Sequence, residues 1–313
     1  MSVDRVATNN QTSYMLSQIA KANVKLQQSE YQVTTGKNSS DYAGIGDKTA
    51  ALEGARAASD RAQGYAAGTQ LAMTQTDLQN TQLTTLTGLA SQLQKAVRNA
   101  VSKSDGTGLM ASAQDIFQQA SSILNAKDSN GNYIYGGQIS DQPPFTATSL
   151  ADLTTKPSVS DFFQNGTEKK TVAVGDGQTE TIGVLASDIG TDLMNALKTL
   201  YQQDQATPVT GTITEAQIKG LSDNVVPLTD TAYKNLNAAT AQNGNVYTSL
   251  KNDVTNQKSL QNLYTGFVSD IEDADMATAL TNLSNNQTAL QAVLTVTSKL
   301  NDLTLLNYLP ASG

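Results

Sequence analysis

The chain of 313 residues contains no cysteine, no histidine and no tryptophan. Those absences remove disulfides, thiol nucleophiles, imidazole bases and the two commonest zinc ligands, and with them most hydrolytic and redox chemistry. Without thiols the redox compartment is undetermined. Aromatic residues are only 5%, charged residues 15% and apolar residues 38%, all below the usual globular proportions of roughly 25% charged and 45–50% apolar. Thr, Gln, Asn, Ser and Ala fill the gap, a composition that suits long, thin helical assemblies better than a dense enzyme core. The net charge of −8 argues against nucleic acid and against an anionic membrane surface. No window approaches ~18 consecutive apolar residues, so no membrane insertion is expected, and the N-terminus lacks a cleavable signal pattern.

What is present is a repeating 3–4 spacing of apolar or small residues at both ends of the sequence. One seam runs through Met15, Ile19, Ala22, Leu26, Ser29 and Val33, and a longer one from Thr69 to Ala100 through Leu83, Leu86 and Leu93. A helix from about Asp47 to Ser102 would be ~80 Å long at 1.5 Å per residue, and predicts a rod. SKSDGTG is a turn, and Met110 to Leu124 a returning helix. From Tyr133 to about Ile189 the period changes. YIYGG, PPF and the TVAV and ETIGV segments flanking Gly175-Asp176-Gly177 predict short strands with a hairpin turn. A short helix is expected at about Asp188 to Gln203, and the helical period resumes after Pro227 in a seam from Leu236 to Ile271 that includes Leu260, Tyr264 and Phe267. Asn243, Asp253 and Gln257 within it are polar residues that help fix register. A last helix follows, with a seam of Met276, Leu280, Leu283, Leu290 and Leu294 beside a second stripe that includes Leu300 and Leu303.

The two long central seams are expected to pair antiparallel within the chain. The terminal seams, Met15, Ile19, Leu26 and Val33 at one end and Met276, Leu280, Leu283, Leu290, Leu294, Leu300 and Leu303 at the other, are expected to pack between molecules, because a lone helix pair buries too little surface.

Two segments invite a chemical reading. SDIEDADMATAL places Asp270, Glu272, Asp273 and Asp275 just before the terminal helix. No glycine turn accompanies these carboxylates, as a calcium loop requires. Ser269 and Glu272 have capping-box spacing, so the segment is expected to start the helix. The seam also steps by five from Ile271 to Met276, the mark of a joint. Gly36, Lys37 and Asp41 lie in a glycine-rich joint at the other end of the chain. Residues 1–62 carry seven basic against six acidic residues, and 265–313 five acidic against one Lys, so Lys37, Lys48 or Arg56 are expected partners of the acidic knot. The segment starting at Asp128 has Tyr133 and Ile139 where an EF-hand needs Gly and Glu, and is a turn. No cofactor, metal or catalytic group is indicated.

TTGKNSSDYAGIGDKTAAL and SDIEDADMATALTNLSNNQTALQAVL resemble the N- and C-terminal segments of the bacterial flagellin and hook-associated protein family. GNYIYGGQISDQPPF and the ending LNDLTLLNYLP are similar to its hook-filament junction members, while Thr34 and Tyr42 depart from the usual Ser and Asp. The resemblance implies a mainly α fold of long antiparallel helices formed by both termini, a helical bundle with a small β-containing insert. Three parts are expected: 1–45 with 272–313, 46–130 with 212–271, and an outer insert, 131–211. It also implies a non-enzymatic structural subunit of the flagellum, assembling with copies of itself, other hook-associated proteins and flagellin. Such a subunit would be exported unfolded with an export chaperone to the extracellular flagellum, its termini mobile until polymerised. A filament flagellin is the alternative within the family. A coiled-coil signalling protein would carry a membrane span or partner module, and an insert-borne enzyme a convergent acidic pair or metal triad.

Overall fold

A computed structural model describes residues 2–306, with side chains from 10 to 300. Helices α1 (Ser2–Thr35), α2 (Thr49–Lys103) and α3 (Leu109–Leu124) are followed by an irregular stretch and a hairpin, β1 (Lys170–Gly175) and β2 (Gln178–Ile182). Then come α4 (Ala186–Ala206), α5 (Glu215–Gly220), α6 (Val226–Glu272) and α7 (Met276–Leu306). No described helix is long and apolar enough to cross a membrane.

The chain divides into two compact units, residues 1–61 with 260–313, and residues 62–259. This differs from the three parts expected, for two physical reasons. The first residues of α2 and the last of α6 bond to each other beside the termini, through Arg56 to Glu272 and Ser59 to Thr265. The insert, for its part, shares one core with the helices of its unit: Leu83, Leu86, Leu93, Phe117, Tyr135, Phe145, Leu153 and Leu193 are buried in a single cluster.

In the 62–259 unit, the α2 seam from Thr69 to Ala100 is buried at every position of the 3–4 pattern. The antiparallel partner is α6. Buried Asn243 donates from Nδ2 to the Thr76 carbonyl at 2.9 Å, and Arg98 pairs with Asp230 at 2.6 Å. Since an unpaired buried amide costs more than a paired one returns, Asn243 fixes register more than it adds stability. Gln257 donates to the Val174 carbonyl at 2.7 Å, and Ala72, Leu250, Val174 and Ile182 seat the hairpin on the helices. The β1–β2 register pairs Lys170 with Ile182 and is irregular between Ala173 and Gly175.

YIYGG and PPF form no strand. Ile134 and Tyr135 are buried, and the Tyr135 hydroxyl donates to Gln82 Oε1 at 2.7 Å, its titration pushed up by burial. Gly137 then turns the chain at φ +66°, where a Cβ would stand 2.6 Å from the Glu168 carbonyl oxygen. PPF contributes one bridge, Phe145 to Phe163, because proline has no N–H for a ladder.

The helical run before α6 begins earlier than Pro227 implies. It starts at Glu215, capped by Thr214, and crosses a π turn at Leu221–Val225. Pro227 offers no N–H and its ring opposes the carbonyl four residues back, so the widened turn directly upstream is where a regular helix would be obstructed. Along all the long helices, threonine hydroxyls donate to the carbonyl four residues back, as Thr76, Thr84, Thr240, Thr255 and Thr288 do.

Candidate assembly surface and helical joint

In the other unit α1 and α7 pair antiparallel within one chain. Thr297 lies beside Met15, its Oγ1 3.9 Å from the sulfur, and Asn286 donates to Ser29 Oγ at 2.8 Å. Met15, Ile19, Leu26 and Val33 are half-buried along this seam, opposite Ala279, Leu283, Asn286, Leu290, Val293, Thr297 and Leu300. Those of these positions expected to pack between molecules thus find part of their contact within the chain and stay only half-buried there. The burial available to Met15, Ile19, Leu26, Val33, Leu283, Leu290 and Leu300 is partly spent inside the chain. Met276, Leu280 and Leu294 point outward instead, with Leu280 52% exposed. The Leu303 side chain lies outside the described residues.

Outward apolar side chains recur elsewhere in this unit. Tyr14, Leu16 and Val24 are exposed on α1, and Leu260, Leu263 and Phe267 on α6. The sequence seam had Leu260 and Phe267 facing inward. The structure keeps Tyr264 inward as expected but turns Gln261 and Val268 inward in place of Leu260 and Phe267, leaving Leu260, Leu263 and Phe267, at i, i+3 and i+7, as one exposed stripe. Leu263 was not singled out from the sequence. Its spacing from Leu260 and Phe267 is the signal that could have found it.

The joints between α1 and α2 and between α6 and α7 meet. Gly36 ends α1 at φ +70°, its N–H bonded to the Gln32 carbonyl at 2.9 Å, the usual glycine stop of a helix. Beyond it the backbone bridges to the other joint: Asn38 N–H donates to the Glu272 carbonyl at 2.7 Å, and Ala274 N–H to the Gly36 carbonyl at 2.8 Å. The Asn38 amide adds bonds to the Ile271 and Asp273 carbonyls at 3.1 and 2.9 Å.

Side-chain charges close over this bridge. Lys37 Nζ stands 2.6 Å from Asp273 and 3.5 Å from Glu272, and Arg56 pairs with Glu272 from the other side. Glu272 sits at the C-terminal end of α6, where the helix dipole disfavours a carboxylate, so its two cations offset that placement. The hydrogen bond from Lys37, with another from Ser269, holds the Asp273 carboxyl below its usual range. The network extends through Arg56 to Glu53 Oε1 at 3.1 Å and to the hydroxyl of Tyr42, which donates to Glu53 at 2.8 Å. Tyr42 thus has a use that a second Asp could not fill. Asp41 accepts from Gly44 N–H at 3.0 Å, and Gly44 is required because a Cβ there would overlap Ser39.

The acidic segment starts α7, but through Asp275 and not through the Ser269–Glu272 pair that its spacing suggested. Ser269 and Glu272 belong to the last turns of α6, Ser269 bonding Asp273. The cap of α7 is Asp275, which accepts from Ala277 N–H at 3.0 Å and the Thr278 hydroxyl at 2.8 Å. S-x-x-E reads the same at either end of a helix. What separates the cases is the capping pair of Asp275 and Thr278. Asp270 is exposed. Of the three cations expected as partners, Lys37 and Arg56 are engaged, and no described ion pair involves Lys48. No group of three or more carboxylates among the described residues is placed to hold a metal.

Residues 226–309 match the family model of the bacterial flagellin C-terminal helical region. No curated protein matches the sequence. Among solved structures, one described as a flagellar hook-associated protein from Vibrio parahaemolyticus superposes with TM-score 0.57 at 14% identity, covering 74% of this chain and 98% of that one. The FlgL of Bacillus cereus superposes with TM-score 0.51 at 16% identity, covering 69% and 98%. Residues 226–309 are thus similar to the C-terminal helical region of the bacterial flagellins, and the chain shares its fold with the Vibrio parahaemolyticus flagellar hook-associated protein and the Bacillus cereus FlgL.

Proposed function

We propose that the protein is a structural subunit of the bacterial flagellum that joins hook to filament by axial assembly through its terminal helices. The observation that carries this reading is the distribution of exposed apolar side chains. Even after α1 and α7 pair, Leu16, Val24, Leu263, Phe267, Leu280, Leu294 and Val296 remain outward in the unit that holds both ends of the chain. Isolated exposed leucines need no explanation, but a recurrent set on adjacent helices marks a protein interface. Covering it supplies ~25 cal/mol per Å² of apolar area, against the entropy of ordering. A contact between the α1 patch of one copy and the α6–α7 patch of the next is heterologous, and repeated heterologous contacts build open polymers. The partners on this reading are copies of the chain, other hook-associated subunits and flagellin, with a chaperone during export to the cell exterior. The work is mechanical and not enzymatic.

Deleting the gene tests it. Short or absent filaments with flagellin monomer released into the medium are expected, and filaments of normal length would overturn the reading. The match to the flagellin C-terminal region favours a filament flagellin as the second reading, and a dispensable flagellin gives that normal-length outcome.

A further inference from the structure

The bridge between the two joints does more than close a turn. Successive seam residues of α1 and of α7 step by four and three alternately, so sliding one helix by seven residues, about 10 Å, brings seam again onto seam. Within the seam the described resistance to such a slip is concentrated at one residue, Asn286, which bonds Ser29 Oγ and the Lys25 carbonyl. The other seam residues are small or aliphatic, apart from the weak Thr297–Met15 approach. Apolar surface is largely indifferent to a heptad shift, and polar contacts specify register in paired helices. What cannot slide is the joint. Gly36, Lys37 and Asn38 are held to Ile271, Glu272, Asp273 and Ala274 by backbone bonds, the Asn38 amide and the ion pairs of Lys37, immediately where α1 ends and three residues before α7 begins.

We infer that this joint is a register lock for the terminal helix pair, and that opening it releases a second, heptad-shifted pairing of α1 with α7. Lys37 and Arg56, facing Glu272 and Asp273, are its charged closure, and Asn38 is its backbone tie. The inference rests on the pairing of α1 with α7 in a single chain and is independent of whether the protein assembles into a flagellum. A lock of this kind would give the terminal helices two discrete arrangements instead of continuous freedom, since packed seams are bistable.

The absence of native cysteine makes the test direct. Three double variants of the full-length chain report register by cross-linking with a short bis-maleimide, which adds each thiol to form a thioether: Met15→Cys with Thr297→Cys for the observed pairing, and Met15→Cys with Leu290→Cys or Ala22→Cys with Thr297→Cys for a shift of seven either way. Each is made with the lock intact and with Lys37→Gln, Glu272→Gln and Asp273→Asn together, and helix content is followed by circular dichroism. With the lock intact only the 15–297 pair should link. With the charges neutralised and helix content retained, its yield should fall several-fold and at least one shifted pair should rise by a similar factor. If the triple variant loses helix, Asp273→Asn alone carries the same comparison. Unchanged 15–297 linking overturns the inference, and so does loss of 15–297 without gain in either shifted pair, which would mean a clamp against fraying and no alternative register.

Discussion

Arg56 and Glu272, 216 positions apart in sequence, form an ion pair in which the Glu272 side chain keeps only 13% of its exposure. The pair places a residue near the start of the second helix on the last residue of the sixth, and Lys37 approaches the same carboxylate from the first joint.

Replacing Glu272 with Gln removes the charge that two cations share but retains the shape. Because Lys37 and Arg56 are both more than 40% exposed, solvent screening keeps the effect small, and a loss of about 1 kcal/mol is expected. Chemical denaturation read by circular dichroism, at low and high salt, checks it: the difference between variant and parent should shrink as salt rises.

Acid should loosen the joint in a defined direction. The Asp273 carboxyl is held below its ordinary value by Lys37 and Ser269, so its contribution is complete above the unfolded value near 4 and fades as pH falls through the lower folded one. Asp152 behaves likewise in the other unit. Bonds from Thr148 and Ser149 bring it to about 2, so its share is lost between about pH 4 and 2. Thermal melts across pH 5 to 2 should show falling stability, and Asp273→Asn should flatten the part that belongs to the joint. A rise in stability on acidification would contradict both assignments.

Asp275→Ala should fray the first turn of the seventh helix without unfolding the protein, since the carboxylate accepts from Ala277 and Thr278. Hydrogen exchange at the amides of residues 277–279 is the measurement, with faster exchange confined to that turn. A Ser269→Ala change should leave those amides unaltered, because Ser269 bonds Asp273 and caps nothing there.

Gly137→Ala should be among the most damaging small changes in the 62–259 unit. The new Cβ would stand 2.6 Å from a backbone oxygen and 2.7 Å from Leu185 Cδ2 at a positive φ, a combination costing about 2–3 kcal/mol. A thermal shift assay should register several degrees of lost stability, whereas Gly88→Ala, with open space around its Cβ, should be neutral or slightly stabilising.

Leu263→Glu and Leu280→Glu separate assembly from folding. Both side chains are exposed in the single chain, so melting should be unchanged within about 0.5 kcal/mol, while polymerisation or attachment of filaments to hooks should fail. Retained assembly by both variants would remove these residues from the interface.

Much of this arrangement is legible in the amino-acid sequence. The long second helix, the hairpin around Asp176-Gly177 and the seam from Thr69 to Ala100 follow from periodicity and turn chemistry alone, because each is a local pattern with one physical solution. Lys37 and Arg56 are legible as partners of the acidic segment through charge balance. What the sequence conceals is geometric. A 3–4 pattern does not say whether Leu260 or Gln261 faces inward when either choice continues the helix, nor whether the terminal seams close within one chain. Ser269 and Glu272 mislead because a cap motif carries no direction. Asn38 gives no signal, since its worth depends on carbonyls 233 and 235 positions away.

The threonines that bond their own helix carry a wider implication for composition. Once Oγ1 of Thr76, Thr84, Thr240 or Thr288 is turned to the preceding carbonyl, the group left to meet a neighbour is a methyl. A residue counted as polar then packs as a short valine, and Thr76 and Thr229, whose hydroxyls bond carbonyls of their own helices, are indeed completely buried. The 38% apolar content therefore understates how much oily surface these helices can bring together, and a chain that looks too watery to hold a long bundle has a hidden reserve of hydrocarbon.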